Sequence, residues 1–346
     1  MNKAWQNFLA SEGILPKEIS ANATSDSGQS LDSPDASCRL HPLTTYGLLK
    51  ISGPEASSFL QAQFTNDVAQ VTGSIGQLNA YCSPKGRVLA LFSMVKHADA
   101  FYLIVPTEVL PAFHQRLKMF VLMAKVTLED YSDQHACFGI SGARAETALQ
   151  TAELKIPAEH YHTEVNNHLL IQKLPAVRGE YRFEIIGPPD HLIPLWEKLS
   201  STSIKSTETL WQRDTILTGI PTVTTDIVDT FIPQMLNLDL IDAVSFTKGC
   251  YPGQETVART RHLGKLNRRT FLLQIDTAHA PAIGSKIEDD DENTLGQVIN
   301  VSAHTPDSCV ALAVLNLDAA DAKSLQLADA NKTPASLMTM PYDLPQ

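Results

Sequence analysis

One short pattern recurs three times along this chain, as Ile51-Ser-Gly-Pro, Ile140-Ser-Gly-Ala and Ile185-Ile-Gly-Pro. Each copy follows an apolar run suited to a strand and precedes a segment with helical spacing, so the chain turns repeatedly from strand to helix through a glycine. Pro54 and Pro188 are expected at the first positions of their helices, where a missing N–H costs little. After the first copy, Ala56, Phe59, Leu60 and Phe64 form one helical face. Repeated, similar α/β units fit this pattern better than one doubly wound sheet does. With 346 residues the chain exceeds one ordinary core, and two or three packed units are expected.

Between the copies, Val88–Val95 and Phe101–Val105 read as a hairpin across Lys96–Ala100. Leu110, Phe113, Leu117, Phe120 and Val121 repeat at helical spacing and read as core. Beyond about residue 268 the character becomes all-β, with short strands expected over Phe271–Ile275, Ile283–Ile287, Leu295–Val301 and Cys309–Leu315. The expected division is therefore 1–39 as an N-terminal extension and linker, 40–268 as the α/β region, and 269–346 as a β-barrel. In the extension, Trp5, Phe8 and Leu9 suit a short helix docked on the body. Residues 20–38 are small and polar and suit a flexible connection.

Twenty-seven basic against 38 acidic residues leave a net charge of −11, which disfavours general attraction to nucleic acid or anionic lipid. Direct nucleic-acid binding and membrane association are accordingly not expected. No apolar run approaches the ~20 residues of a membrane span, and neither an export signal nor a mitochondrial leader is apparent. Five cysteines, none at Cys-x-x-Cys spacing, suit free thiols in a reducing compartment, so a cytoplasmic location is expected. His160, His162 and His168 lack zinc-motif spacing, and no metal site is expected.

The stretch that points to chemistry is Lys248-Gly-Cys-Tyr-Pro-Gly-Gln-Glu255. Pro252 and Gly253 suit the central positions of a type II turn, which would hold Cys250 on a tight, accessible loop. Lys248 and the downstream arginines favour a thiolate there, while Glu255 opposes it. Between residues 248 and 270, six basic residues (Lys248, Arg259, Arg261, Lys265, Arg268 and Arg269) face one acidic residue, Glu255. A basic island on an acidic protein is a candidate anion pocket; a solvated interdomain linker is the alternative.

The run from Phe231 to Glu255 resembles the YgfZ-type folate-binding proteins, relatives of the glycine-cleavage aminomethyltransferase. Their Lys-Gly-Cys-Tyr/Phe-x-Gly-Gln-Glu signature is matched at every fixed position by Lys248–Glu255. The resemblance extends through Leu60–Val68, Cys82–Arg87, Trp211 ahead of Gly219-Ile-Pro221, and Pro341–Leu344. It implies an α+β, aminomethyltransferase-like folate-binding fold, with intertwined α/β units around a central pocket and a C-terminal β-barrel. It further implies an accessory protein that binds a tetrahydrofolate derivative and supports iron–sulfur cluster assembly or repair. Its clients would be iron–sulfur enzymes such as tRNA-modifying enzymes.

In that reading Cys250 is the functional thiol, with Lys248 beside it. Trp211 and Tyr46 would line the folate pocket, although relatives place a tryptophan where Tyr46 stands. Gln254 or Glu255 would pair with pterin N–H groups, and Lys248, Arg259 or Arg261 would hold the glutamate tail. The aminomethyltransferases carry a catalytic Asp on the strand after Lys85-Gly86, whereas Gly86–Ala98 contains no carboxylate. Aminomethyl transfer is therefore not expected. The alternative is a folate-dependent one-carbon or redox enzyme that uses Cys250, and an RNA-binding module built on the basic island is the weakest reading.

Overall fold

The computed structural model describes residues 2–14, 37–262, 266–322 and 324–345. Most of the polar stretch expected to be a flexible connection, and Lys265 of the basic island, lie outside these residues.

All three strand–glycine–helix copies form. Strand Tyr46–Ser52 leads to helix Ala56–Gln61, strand Ala136–Gly142 to helix Ala145–Thr151, and strand Glu180–Gly187 to helix Pro189–Ser200. The first two copies match in detail. Gly53 and Gly142 have φ of 117° and 121°, and a Cβ at either would strike a main-chain carbonyl, that of Lys125 or Ser37. Two residues further on, Glu55 and Arg144 donate their N–H groups to those same two carbonyls. The prolines shift slightly from expectation: Pro54 precedes its helix, and Pro188 is the cap while Pro189 takes the first helical position.

The units are intertwined. One sheet runs, edge to edge, through Gln77–Cys82, Val88–His97, Ala100–Pro106, Tyr46–Ser52 and Thr127–Asp130. The other runs through Ile204–Lys205, Arg39–Pro42, Ala136–Gly142, Glu180–Gly187, Leu169–Val177 and Thr163–Asn166. The chain therefore places strand Arg39–Pro42 in the second sheet, builds the first, and returns. The expected hairpin is present, with Ser93 opposite Ile104.

Each sheet buries two faces, and the period of two decides which residue goes where. Leu49, Ile51, Leu103 and Val105 of the first sheet pack under helix Leu110–Val121. On that helix Leu110, Phe113 and Leu117 are buried, but Phe120, expected in the core, is exposed, because in the last turn it is Val121 that packs against the core. Phe138, Ile140, Phe183 and Ile185 of the second sheet form a core with Leu192, Trp196 and Leu199. Helix Lys3–Ser11 joins that core: Trp5 is fully buried, 5.7 Å from Trp196 edge to face. The opposite faces meet each other through Leu48, Val95 and Ile104 on one side and Cys137, Leu170 and Ile186 on the other.

From Arg268 onward six strands close a barrel, in the order Arg268–Ile275, Ser308–Asn316, Thr294–Thr305, Lys286–Glu288, Leu325–Leu327 and Pro334–Met338. The last two are additional to the strands expected from sequence. Helix Glu208–Leu217 packs between this barrel and strand Arg39–Pro42. Among the described residues no helix is long and apolar enough to cross a membrane.

Candidate functional site

A cavity of about 640 Å³, its open mouth included, lies where the two sheets face each other near helix Glu208–Leu217. Leu78, Leu91, Phe92, Ile104, Leu174 and Trp211 supply most of its apolar wall. Arg182 and Glu184, from strand Glu180–Gly187, reach into it. Their placement follows from the pleat: Phe183 and Ile185 face the helices, so Arg182, Glu184 and Ile186 face the first sheet.

Burying a cation and a carboxylate side by side requires compensation. Arg182 donates to the Thr215 hydroxyl at 2.7 Å, and its guanidinium carbon lies 4.2 Å from the Trp211 ring centroid. Its Nε is buried without a hydrogen-bond partner. Glu184 accepts a long bond from the Cys137 thiol, 3.4 Å. Burial pushes the Glu184 carboxyl up to about 7, with the Cys137 contact and Arg182 pulling the other way. The cavity thus contains an acid poised near neutrality beside an unpaired donor.

The structure brings Tyr46 and Trp211 together in this wall. Burial raises the Tyr46 phenol, as do Glu184 and Glu208, against Arg182 and a hydrogen bond with Thr222. The Trp211 indole rests on Gly139, with Arg182 over its ring and His41 5.4 Å away. It is 2 % exposed, so it shapes the cavity and seats Arg182 rather than offering a free face for stacking. Glu208 accepts hydrogen bonds from the N–H and hydroxyl groups of both Thr44 and Thr45, fixing the approach to Tyr46.

Cys250 stands elsewhere. The expected type II turn is present: Gly253 has φ of 81° and Gln254 N–H donates to the Tyr251 carbonyl at 3.2 Å. Cys250 is exposed, whereas Cys38, Cys82, Cys137 and Cys309 are buried. Lys248 Nζ donates to the carbonyls of Gln61, Phe64 and Asn66 at 2.7, 2.6 and 2.9 Å. Burial pulls this ammonium down to about 8, while Asp67 pulls it back up. The loop is tied to the cavity wall through Asn66, whose side chain donates to the carbonyls of Leu78 and Asp242.

Gln254 and Glu255 open helix Gln254–His262, and neither lines the cavity; Glu255 is exposed because the helix turns Val257 inward. The carboxylate inside the cavity is Glu184, not Glu255. Nor do the described basic residues of the island converge on one anion pocket. Lys248 is held by carbonyls, Arg261 lies over Phe246 at 3.9 Å, Arg268 binds Asn316, and Arg269 forms a buried pair with Asp239. Arg259 is exposed on the helix. Sequence reading missed Arg182 and Glu184 because Tyr181–Ile185 alternates apolar and polar, as an ordinary half-exposed strand does.

Comparison with known proteins agrees with this architecture. Residues 32–208 match the family model for the GCVT N-terminal domain. The tRNA-modifying protein YgfZ of Colwellia psychrerythraea is 31% identical over 307 residues, 87% of this chain and 92% of that protein. The YgfZ protein of Yersinia pestis is 28% identical over the same shares of the two chains. Among solved structures, aminomethyltransferase T from Bartonella henselae superposes with a TM-score of 0.72 at 17% identity, covering 88% of this chain and 86% of that one. The wall strand Val88–His97 contributes Leu91, Phe92 and Ser93 to the cavity, and Ser93 is bonded across the sheets to Gln172 at 2.6 Å. With the GCVT domain matched over half its length and a YgfZ relative aligned over most of it, this chain belongs to the YgfZ family of GCVT-domain proteins.

Proposed function

We propose that the chain is a folate-binding accessory protein that supports tRNA modification by sustaining iron–sulfur enzymes, with the Arg182/Glu184 cavity as the folate site and Cys250 as a separate functional thiol. The observation that carries the reading is the presence of Glu184 and the unpartnered Arg182 Nε on one wall of a largely apolar cavity. A pterin is a flat heterocycle whose amide edge offers an N–H donor and a carbonyl acceptor side by side. Glu184 supplies an acceptor, Arg182 a donor, and Leu91, Phe92 and Ile104 the apolar walls for the ring. When bound, a tetrahydrofolate derivative would supply one-carbon or reducing capacity.

Support for the tRNA connection comes from the relatives, whose names describe tRNA-modifying proteins. Aminomethyl transfer as the relatives perform it is disfavoured, because strand Val88–His97 meets the cavity with Leu91, Phe92 and Ser93 and so lacks the carboxylate those enzymes carry there; the cavity's carboxyl, Glu184, comes from a different strand. Cys250 is the one exposed cysteine, and one thiolate falls short of the four that usually ligate a cluster. Cluster chemistry here would therefore be shared with a client protein.

Anaerobic calorimetric titration with tetrahydrofolate tests the pocket. Wild type is expected to bind, and Glu184→Gln to bind at least about tenfold more weakly, the loss of one charge-assisted hydrogen bond. Absence of binding by folded wild type would overturn the reading. For the cellular role, modified-nucleoside levels in tRNA are expected to fall with Cys250→Ala, and unchanged levels would remove Cys250 from it.

A further inference from the structure

Lys248 is the last anchored residue before Cys250. Its three ammonium hydrogens are matched one to one by three main-chain carbonyls, at 2.7, 2.6 and 2.9 Å. Gln61, one of the acceptors, ends helix Ala56–Gln61, where unsatisfied carbonyls and the helix dipole both favour a cation. The other acceptors, Phe64 and Asn66, belong to the segment that follows that helix. On the far side of the cysteine, Tyr251 is buried, and Lys248 Nζ lies 5.3 Å from the centre of its ring. Gly249 and Cys250 between them are exposed, and a Cβ at Gly249 would meet nothing within 4 Å. The loop is thus an arch with two footings, the carbonyl cage and the Tyr251 pocket, and the thiol at its crown.

We infer that Lys248 is a positioning residue, an ammonium staple that fixes the Cys250 arch to the first α/β unit, and not a reacting group or an anion-binding cation. An ammonium used in this way has no hydrogen left to donate to a carboxylate or phosphate. A tripod of donors fits three converging carbonyls, whereas a planar guanidinium does not. This separates the staple from a charge role: Lys248→Arg retains the positive charge but loses the fit. The inference deepens the reading of Cys250 as a functional thiol and rests on it for its significance, but its geometry is independent of folate.

The test compares wild type, Lys248→Met and Lys248→Arg. Hydrogen exchange of amides 248–251 is expected to accelerate at least tenfold in both variants. The iodoacetamide rate of Cys250 plotted against pH is expected to change in both, and the tetrahydrofolate dissociation constant to stay within about threefold of wild type. An arginine variant that exchanges and alkylates like wild type would overturn the staple in favour of a simple charge effect. So would a tenfold loss of folate affinity in Lys248→Met that Lys248→Arg restores, with exchange unchanged, which would make Lys248 a ligand cation. Should the variants fail to fold, lysine-selective ¹⁵N NMR of wild type decides: a slowly exchanging ammonium coupled to main-chain carbonyls is expected, and its absence would overturn the proposal. Failure of folate binding in wild type with the exchange result intact would sink the folate reading and leave the staple standing.

Discussion

The cavity and the Cys250 arch are built on opposite principles. The cavity holds its reactive groups by burial: Arg182 and Glu184 are 2 % and 4 % exposed, and their surroundings tune Glu184 to about 7. The arch holds its thiol in the open and fixes it from below through Lys248 and Tyr251. One region encloses a buried cation and carboxyl in a largely apolar wall; the other leaves a sulfur atom open to solvent. The two regions are structurally distinct, and Thr65 and Asn66 tie Leu78 and Ala80 of strand Gln77–Cys82 to the stretch from Ala243 to Lys248 that carries the arch.

The largest expected effect lies on the cavity side. Trp211→Ala removes a 2 % exposed indole that seats both Gly139 and Arg182, and should cost about 3–5 kcal/mol in denaturant unfolding. A loss below 1 kcal/mol would mean the wall is not packed as described. Next, the pH dependence of stability should carry the signature of Glu184. Its folded pKa is raised above the ordinary carboxyl value, so its contribution is full at pH below about 4.5 and is lost as pH rises through about 7. Thermal unfolding of wild type against Glu184→Gln should show this descending component only in wild type; parallel curves would contradict the buried ionising acid. The smallest effect belongs to the arch. Cys250→Ala should shift unfolding by no more than about 0.5 kcal/mol, as for an exposed side chain without packing. A larger shift would make Cys250 structural and erase the contrast.

Local features of the fold were legible in sequence and distant ones were not. The strand–glycine–helix copies, the type II turn at Pro252-Gly253 and four of the barrel strands are dictated by neighbours in the chain. Strands Leu325–Leu327 and Pro334–Met338 were missed because neither belongs to a longer apolar run, and the second is largely exposed and starts at a proline. Cys250 and Trp211 could be singled out from motif matches. Glu184 could not, since an alternating strand conceals which face meets a second sheet. The partners of Lys248 were equally hidden: they are main-chain carbonyls more than 180 residues away, and a carbonyl leaves no mark on sequence. The basic island misled for the same reason, because charge alone does not tell a paired arginine such as Arg269 from a free one.

The most direct measurement is a ¹³C NMR titration of the Glu184 carboxyl with and without bound tetrahydrofolate. If the carboxylate accepts pterin N–H donors, its pKa should begin near 7 in the free protein and fall by at least one unit when the ligand binds. A carboxyl that titrates identically in both states would contradict the assignment of this cavity as the folate site.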